Sequence, residues 1–149
     1  MNDVKIGQTA SRELTVGKEH LACAVGSGSV EVFATPMVAA MMEGAAADLA
    51  QSFLPDELTT VGSKITVEHL CPTAEGVHVR AEAELVAVDG RKYSFSLKAY
   101  DNAGLIATGA HERVSVKRES FQKKAAERKA QDDRSKGDVR HGELPLSFL

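Results

Sequence analysis

The sequence predicts an α+β domain in which one long helix packs against an antiparallel sheet. Residues 35–50 form an alanine- and methionine-rich segment typical of a helix, and later segments alternate apolar and polar residues as half-buried strands do. The 149 residues, 43% of them hydrophobic, suit one domain with one core. Because a long helix must bury its apolar face and the sheet is the only large partner available, we expect the helix to lie across the sheet.

The first strand and the start of the helix follow from local signals. Residues 8–16 are predicted to form a strand, and residues 18–29 to connect it to the helix through flexible glycines at positions 26 and 28. Thr35 is the expected N-cap of the helix. Pro36 fits the first helical position because its missing N–H has no partner there in any case.

The helix has two faces of different composition. At about 100° per residue, one broad face is expected to pack on the sheet, and its residues are Val38, Met41, Met42, Ala45, Leu49 and Phe53. The opposite face carries alanines at positions 39, 46, 47 and 50, with Glu43 among them. Because a solvated face normally carries charged side chains, we expect this alanine face to be covered by a second subunit or a ligand.

Glu43 is therefore a candidate functional residue. Burial of an unpaired carboxylate costs free energy, and such groups are found in functional clefts. The alternative is that Glu43 faces water on an alanine-rich helix, and the pattern alone leaves both interpretations open. The same alanine face predicts a homodimer or a larger homo-oligomer.

The segments after the helix are predicted to be strands joined by short turns. Residues 54–62 are expected to be a turn and exit loop, followed by a strand at about residues 63–70 that ends before Pro72. Further strands are predicted at 77–88, 92–100 and 105–118, joined by the turns DGR and DNAG. Alternation predicts these inward positions: Val77, Val79, Ala81, Ala83, Leu85, Ala87, Tyr93, Phe95, Leu97 and Ala99.

The C-terminal part differs in composition from the rest of the chain. Residues 1–118 form the predicted domain, and residues 119–149 a charged C-terminal helix and tail. The apolar end of the tail, residues 144–149, either docks on another surface or is loose, and the sequence leaves both open.

Two further stretches carry candidate site residues. His69 lies near the end of a predicted strand, where it is either an acid or base near neutral pH or a histidine without chemistry. On the last strand, alternation places His111 and Arg113 on one face and Glu112 on the other. Arg113 either contacts a phosphate or carbonyl group of a ligand or forms an ion pair with a carboxylate.

Charge and hydropathy exclude several classes of protein. A formal net charge of −3 lacks the basic excess of a general nucleic-acid-binding protein. No apolar run approaches the ~20 residues that cross a bilayer, and the polar N-terminus lacks the apolar stretch of a signal peptide. We therefore expect a cytoplasmic protein that binds neither nucleic acid nor membrane.

The cysteines and histidines indicate no metal or redox centre. Cys23 and Cys71 lie among apolar residues and are expected to be buried free thiols. The five histidines, at positions 20, 69, 78, 111 and 141, lack the spacing of clustered metal ligands. We expect no metal and no bound cofactor.

Four segments, in this order and spacing, resemble one known family. They are VEVFATPMVAAMMEGAA, TTVGSKITVEHLCPT, ELVAVDGRKYSFSLKAYD and GAHERVSV, and the resemblance covers about residues 5–125. The family is that of the hotdog-fold thioesterases related to fluoroacetyl-CoA thioesterase. The resemblance implies a hotdog fold, a homodimer or larger assembly with active sites near the subunit interface, and hydrolysis of an acyl-CoA to the acid and coenzyme A. Coenzyme A would enter as part of the substrate.

By position, the resemblance assigns roles to five residues. Thr35, Glu43 and His69 match the catalytic residues of the family, and Gly62 and Arg113 match its substrate-contacting residues. Glu43 would attack the thioester carbonyl or activate water, His69 would shuttle the proton, and Thr35 would be a nucleophile, a positioning group or only an N-cap. The oxyanion would be held by N–H groups at the helix start or at Gly62, with Gly62 favoured because the proline at the helix start lacks an N–H.

Residues 18–30 depart from the family pattern. The fluoroacetyl enzyme has a longer lid with an aromatic residue there, whereas this chain has the shorter KEHLACAVGSGSV, so selectivity for a fluoroacetyl group is not predicted. Three other functions stay open: a non-catalytic acyl-CoA-binding or sensing module, a hydratase, and a plain interaction protein. A hydratase is disfavoured because the loop before the helix carries no Asp–His pair.

Overall fold

The computed structural model describes residues 3–134, and its elements follow the predicted order. They are β1 (Thr9–Thr15), a 3₁₀ turn (Lys18–His20), α1 (Ala22–Val25), α2 (Thr35–Gln51), β2 (Leu58–His69), β3 (His78–Asp89), β4 (Lys92–Asp101), β5 (Gly104–Lys117) and α3 (Arg118–Arg134). The predicted tail and His141 lie outside the described residues. No helix within residues 3–134 is long and apolar enough to cross a bilayer.

The five strands form one antiparallel sheet that curves around α2. Their order is β1-β3-β4-β5-β2, which leaves β1 and β2 at the edges. α2 contacts every strand, although five strands are ~19 Å wide and a helix is only ~10 Å across. The sheet therefore has to curve around the helix, and the predicted fold class is confirmed.

The core lies between α2 and the concave face of the sheet. The predicted sheet-facing residues of the helix are all buried: Val38, Met41, Met42, Ala45, Leu49 and Phe53. Opposite them lie the inward residues of β3 and β4, which are also buried up to the ends of the regular alternation. Phe53 stacks on Tyr93 with ring centroids 6.3 Å apart. Each large apolar side chain buried here contributes ~1.5–3 kcal/mol of transfer free energy.

The expectation that the whole alanine face of α2 needs an outside partner is wrong at two of its four positions. Ala46 and Ala50 are 0% exposed within the chain itself and belong to the core. Ala39 and Ala47 are half-buried. A curved sheet covers a wider arc of a helix than the single stripe on which the expectation was based, so the chain itself covers half of this face.

β2 is longer than expected, and residues 58–62 are not an exit loop. β2 begins at Leu58, which pairs with Lys117 of β5. The β-branched side chains of Thr59, Thr60 and Val61 favour a strand over a loop once β5 supplies backbone partners. The glycine that suggested a loop lies instead at a shift in the β2–β5 register between positions 62 and 64, which is typical of a β-bulge.

A second register shift explains why the predicted inward position of Ala87 is wrong. β3 and β4 change register between Leu85 and Ala87, so that Val86 is the extra residue. Leu85 is fully buried, whereas Ala87 is exposed. A bulge shifts the alternation of the residues that follow it, and no residue type in this segment signals a bulge in advance.

Both cysteines are exposed free thiols, so the expectation that they are buried is wrong. Cys23 lies on the four-residue helix α1, and Cys71 follows the end of β2. Their apolar neighbours Leu21 and Leu70 are buried and exposed, respectively. An apolar sequence context therefore does not report burial in short connecting segments.

The connection before α2 is tied to the start of that helix. Ala22 N–H donates to Val32 O at 2.8 Å, and Ala34 N–H donates to His20 O at 2.9 Å. A bridge also joins Leu21 and Phe33. These contacts hold residues 20–34 as a wall beside the first turn of α2.

We predict that Gly109→Ala destabilises the fold. Gly109 of β5 pairs with Val67 on one side and Leu97 on the other, and a Cβ there would collide with the backbone oxygen of Thr66. Backbone cannot move aside as a flexible side chain can, so thermal and urea unfolding should show a loss of about 1–3 kcal/mol.

Gly28→Ala is the matched control for this prediction. A Cβ at position 28 would make only an ordinary contact, 3.6 Å from the Cβ of Ala22. Its free energy of unfolding should stay within about 0.5 kcal/mol of the original value. Equal stability of the two variants would contradict the close approach described for Gly109.

Candidate active site

Thr35 and His69 form a hydrogen-bonded pair at one end of α2. Thr35 is the first residue of the helix, and His69 is the last residue of β2. Thr35 Oγ1 lies 2.7 Å from His69 Nδ1. A hydroxyl in direct contact with an imidazole is the arrangement in which the imidazole can take the hydroxyl proton.

The Thr35 hydroxyl is not an N-cap, so that expectation is wrong. Ala34 is the N-cap residue, and no side chain caps the helix. The helix therefore begins one residue earlier than expected, and Thr35 occupies its first position. Its hydroxyl bonds to His69 instead of to the backbone of its own helix.

A pocket of about 330 Å³ lies beside this pair. One wall comes from the connection before α2, including Val32 and Phe33, and the other from the segment after β2, including Leu70 and Pro72. Thr35 and His69 also line the pocket, together with the exposed thiol of Cys71. Most residues of the lining are therefore apolar, and the hydroxyl–imidazole pair lies among them.

His69 is held in a state suited to accept a proton. Burial lowers the pKa of the His69 imidazole below its ordinary value of 6.5, while the nearby backbone of Cys71 opposes that shift. His69 is therefore neutral near pH 7. Within the described residues, its second ring nitrogen, Nε2, is buried without a hydrogen-bond partner.

A second cluster surrounds Gly62. A Cβ at this position would lie 3.0 Å from His111 Cε1, 3.2 Å from Glu43 Oε2 and 3.4 Å from Arg113 Nη1. Gly62 also pairs directly with Arg113 across β2 and β5. A side chain at position 62 would therefore require the carboxylate, the imidazole and the guanidinium group to shift by a few tenths of an ångström.

Arg113 is buried and anchored by three hydrogen bonds. Its Nε donates to Thr60 Oγ1 at 2.8 Å and its Nη2 to Thr60 O at 2.9 Å. Its Nη1 lies 3.0 Å from His111 Nε2. Burial lowers the pKa of the Arg113 guanidinium, and the negative charge of Glu43 opposes that shift. Among residues 3–134, Arg113 forms no ion pair within 4.0 Å, so the ion-pair alternative is not what the structure shows.

One chain brings the five candidate residues into two groups. Thr35 and His69 form the first group, while Glu43, Gly62 and Arg113 form the second. Glu43 lies eight positions after Thr35 in α2, which is ~12 Å along the helix axis. In the part of the chain that is described, the Glu43 carboxylate has no hydrogen bond and no ion pair, although it is half-buried.

Two residues of the second cluster are absent from the candidate set derived from the sequence. His111 shares its strand face with Arg113, as alternation predicts, but nothing in the sequence shows that their side chains touch. Thr60 falls in the segment expected to be a loop. The β-branched residues Thr59, Thr60 and Val61 are the signal for a strand here. A strand over these positions pairs Thr60 with β5 and places it close to Arg113.

Comparison with known proteins gives one family. Residues 16–119 match the family described as fluoroacetyl-CoA-specific thioesterase. The chain is 34% identical over 98 residues to the fluoroacetyl-CoA thioesterase of Streptantibioticus cattleyicolor, which covers 66% of this chain and 70% of that relative.

Solved structures give the same fold. A fluoroacetyl-CoA thioesterase structure superposes with a TM-score of 0.79 at 26% identity, covering 85% of this chain and 98% of that chain. A Thermus thermophilus hypothetical protein, described as a thioesterase superfamily member, superposes with a TM-score of 0.83 at 25% identity, covering 90% and 99%. The resemblance stated from the four sequence segments and the hotdog fold are thus both confirmed.

Proposed function

The chain belongs to the family of fluoroacetyl-CoA-specific thioesterases, and we propose that it hydrolyses a small acyl-CoA thioester at the Thr35–His69 pair. Membership of the family identifies the chain as an acyl-CoA thioester hydrolase. The observation that carries the assignment of the site is the 2.7 Å contact between Thr35 Oγ1 and His69 Nδ1. This pair lines a pocket with mainly apolar walls, which suits the binding of an acyl group.

His69 is the proton shuttle of the proposed reaction. Its Nδ1 takes the proton of Thr35 while Oγ1 attacks the thioester carbonyl carbon. The tetrahedral intermediate collapses, the C–S bond breaks, and the imidazolium gives the proton to the departing thiolate of coenzyme A. Water then attacks the threonyl ester, and His69 returns the water's proton to Oγ1 as the acid leaves.

Glu43 enters this site from a second copy of the chain. In one chain both His69 Nε2 and the Glu43 carboxylate lack a hydrogen-bond partner among the described residues. An imidazole that shuttles protons is oriented and stabilised as imidazolium by a carboxylate on its other nitrogen. A homodimer that brings the Glu43 carboxylate beside the Thr35–His69 pair of the other chain places a negative charge where the imidazolium forms and completes a Thr–His–Glu arrangement.

The edge strand β2 supplies the geometry for such a dimer. β2 has twelve residues and a free edge, and a long unpaired edge favours pairing with another strand. Antiparallel pairing of two β2 strands about a two-fold axis at Thr66, with Ser63 as the extra residue of the bulge, places Gly62 opposite His69 of the partner subunit. Glu43 and Arg113, which crowd around Gly62, then lie beside the Thr35–His69 pair of the other chain.

The pocket limits the substrate class. A volume of about 330 Å³ lies at the small end of ligand sites, which are typically ~300–1,000 Å³. Within one chain it has room for a small acyl group beside the Thr35–His69 pair. We infer that coenzyme A is bound only as part of the substrate, that no further cofactor takes part, and that the protein works in the cytoplasm, where acyl-CoA thioesters are found.

We predict that the purified protein releases free thiol from acetyl-CoA and that His69→Gln lowers kcat by about 10²–10⁴-fold, the range for a positioned acid–base group. Because burial lowers the pKa of His69, the imidazole stays neutral as the pH falls below 6.5. The acid limb of kcat/KM should therefore lie below pH 6.5. A thiol reagent followed across a pH series measures both quantities.

His78→Gln is the control for this experiment, because His78 lies on the exposed face of β3 with 59% of its side chain accessible. Its turnover should equal that of the unmodified chain. Tight binding of acetyl-CoA without thiol release would favour a sensing module. Full activity of His69→Gln would exclude the proposed shuttle.

We also predict a homodimer, because the free edge of β2 and the unpaired Glu43 carboxylate favour a second chain. Light scattering at micromolar concentration should give about twice the mass of the single chain, which is 15.9 kDa. Val67→Pro removes a backbone donor that points away from β5 next to the proposed axis, so it should shift the mass towards the monomer. Thr9→Pro, on the opposite edge strand β1, is the control and should stay dimeric. A monomeric mass for both proline variants would contradict the proposed interface.

A further inference from the structure

We propose that His111 is a positioning residue. Its hydrogen bond with Arg113 fixes the guanidinium group for substrate contact, and its other hydrogen bond, with Lys64, is structural. This inference rests on the proposed function and deepens it. His111 lies on β5 with only 2% of its surface exposed, and its ring nitrogens make two hydrogen bonds. Its Nδ1 is 2.7 Å from Lys64 O, and its Nε2 is 3.0 Å from Arg113 Nη1.

The contact with Lys64 fixes the tautomer of His111. A backbone carbonyl can only accept a hydrogen bond, so Nδ1 carries the proton and donates to Lys64 O. Nε2 of the neutral ring is then an acceptor, and Arg113 Nη1 donates to it. Burial lowers the pKa of His111, the hydrogen bond with Lys64 raises it, and the positive charge of Arg113 lowers it further, while Glu43 and Glu112 raise it. The neutral ring is the form that fits both contacts.

The hydrogen bonds of Arg113 leave part of its guanidinium available. Three of its five N–H groups are used, by Thr60 Oγ1, Thr60 O and His111 Nε2. Two donors remain, one on Nη1 and one on Nη2. Nη1 lies 3.4 Å from the position that a Cβ at residue 62 would occupy. Together with Thr60, His111 therefore fixes the orientation of the planar guanidinium, with Nη1 next to Gly62.

Two substitutions separate the two contacts of His111. An asparagine amide reaches the position of Nδ1, so His111→Asn keeps a donor for Lys64 O and loses the acceptor for Arg113. A glutamine oxygen reaches the position of Nε2, so His111→Gln keeps the acceptor for Arg113 and loses the donor for Lys64. A merely structural role makes the two variants alike in catalysis, whereas a positioning role makes them differ.

The test measures KM and kcat for acetyl-CoA together with the melting temperature of both variants. We expect His111→Asn to raise KM by about tenfold, the effect of a lost hydrogen bond to a charged group, with kcat nearly unchanged. We expect His111→Gln to keep KM within about threefold of the original value. In an Arg113→Ala background, His111→Asn should change KM no further, because the residue that it positions is gone.

A second measurement keeps the inference independent of turnover. In a His69→Gln background, titration calorimetry gives the dissociation constant of acetyl-CoA. His111→Asn should raise this constant, whereas His111→Gln should leave it nearly unchanged. If the unmodified chain does not hydrolyse acetyl-CoA but this difference persists, the proposed function is wrong and the role of His111 stands. Equal effects of the two variants on acetyl-CoA binding, or an additive effect in the Arg113→Ala background, would overturn the inference.

Discussion

The antiparallel alignment of α2 with β2 is the constraint on which the site depends. Three contacts mark it: Thr35 with His69 at one end, Glu43 beside Gly62 in the middle, and Gln51 Nε2 donating to Leu58 O at 3.0 Å at the other end. Burial of the apolar face of the helix inside the curved sheet keeps α2 aligned along β2, with the two elements running in opposite directions. Every candidate side chain on α2 thereby meets a defined position of an edge strand.

The electrostatics of the two clusters follow from this burial. His69 and His111 both have pKa values lowered by burial, so both imidazoles are neutral near pH 7 and offer an acceptor nitrogen. Arg113 is buried without an ion pair among the described residues, and neutral acceptors satisfy three of its donors. A buried cation held mainly by neutral groups keeps its charge available for a ligand, whereas a buried ion pair would neutralise it.

The sequence predicted the order of the elements and the sheet-facing side of α2, because both depend on local periodicity. It did not predict the two bulges. The glycine at position 62 indicates a loop as readily as a bulge, and no residue next to Leu85 signals a bulge, because the partner strand sets the register there. The same limit applies to Thr35. A Thr-Pro start signals an N-cap, but the hydroxyl bonds to His69, a residue that only the tertiary fold brings within reach. The arrangement of the candidate residues in two groups was likewise invisible to residue spacing.

Mixing two inactive variants tests the shared site most directly. In the proposed homodimer, each site takes Thr35 and His69 from one chain and Glu43 from the other, so Glu43→Gln and His69→Gln combine into one intact and one doubly altered site. Random mixing of the two variants should therefore restore about a quarter of the original specific activity towards acetyl-CoA. A mixture no more active than either variant alone, with mixed dimers verified by differently tagged chains, would contradict a site built from two subunits.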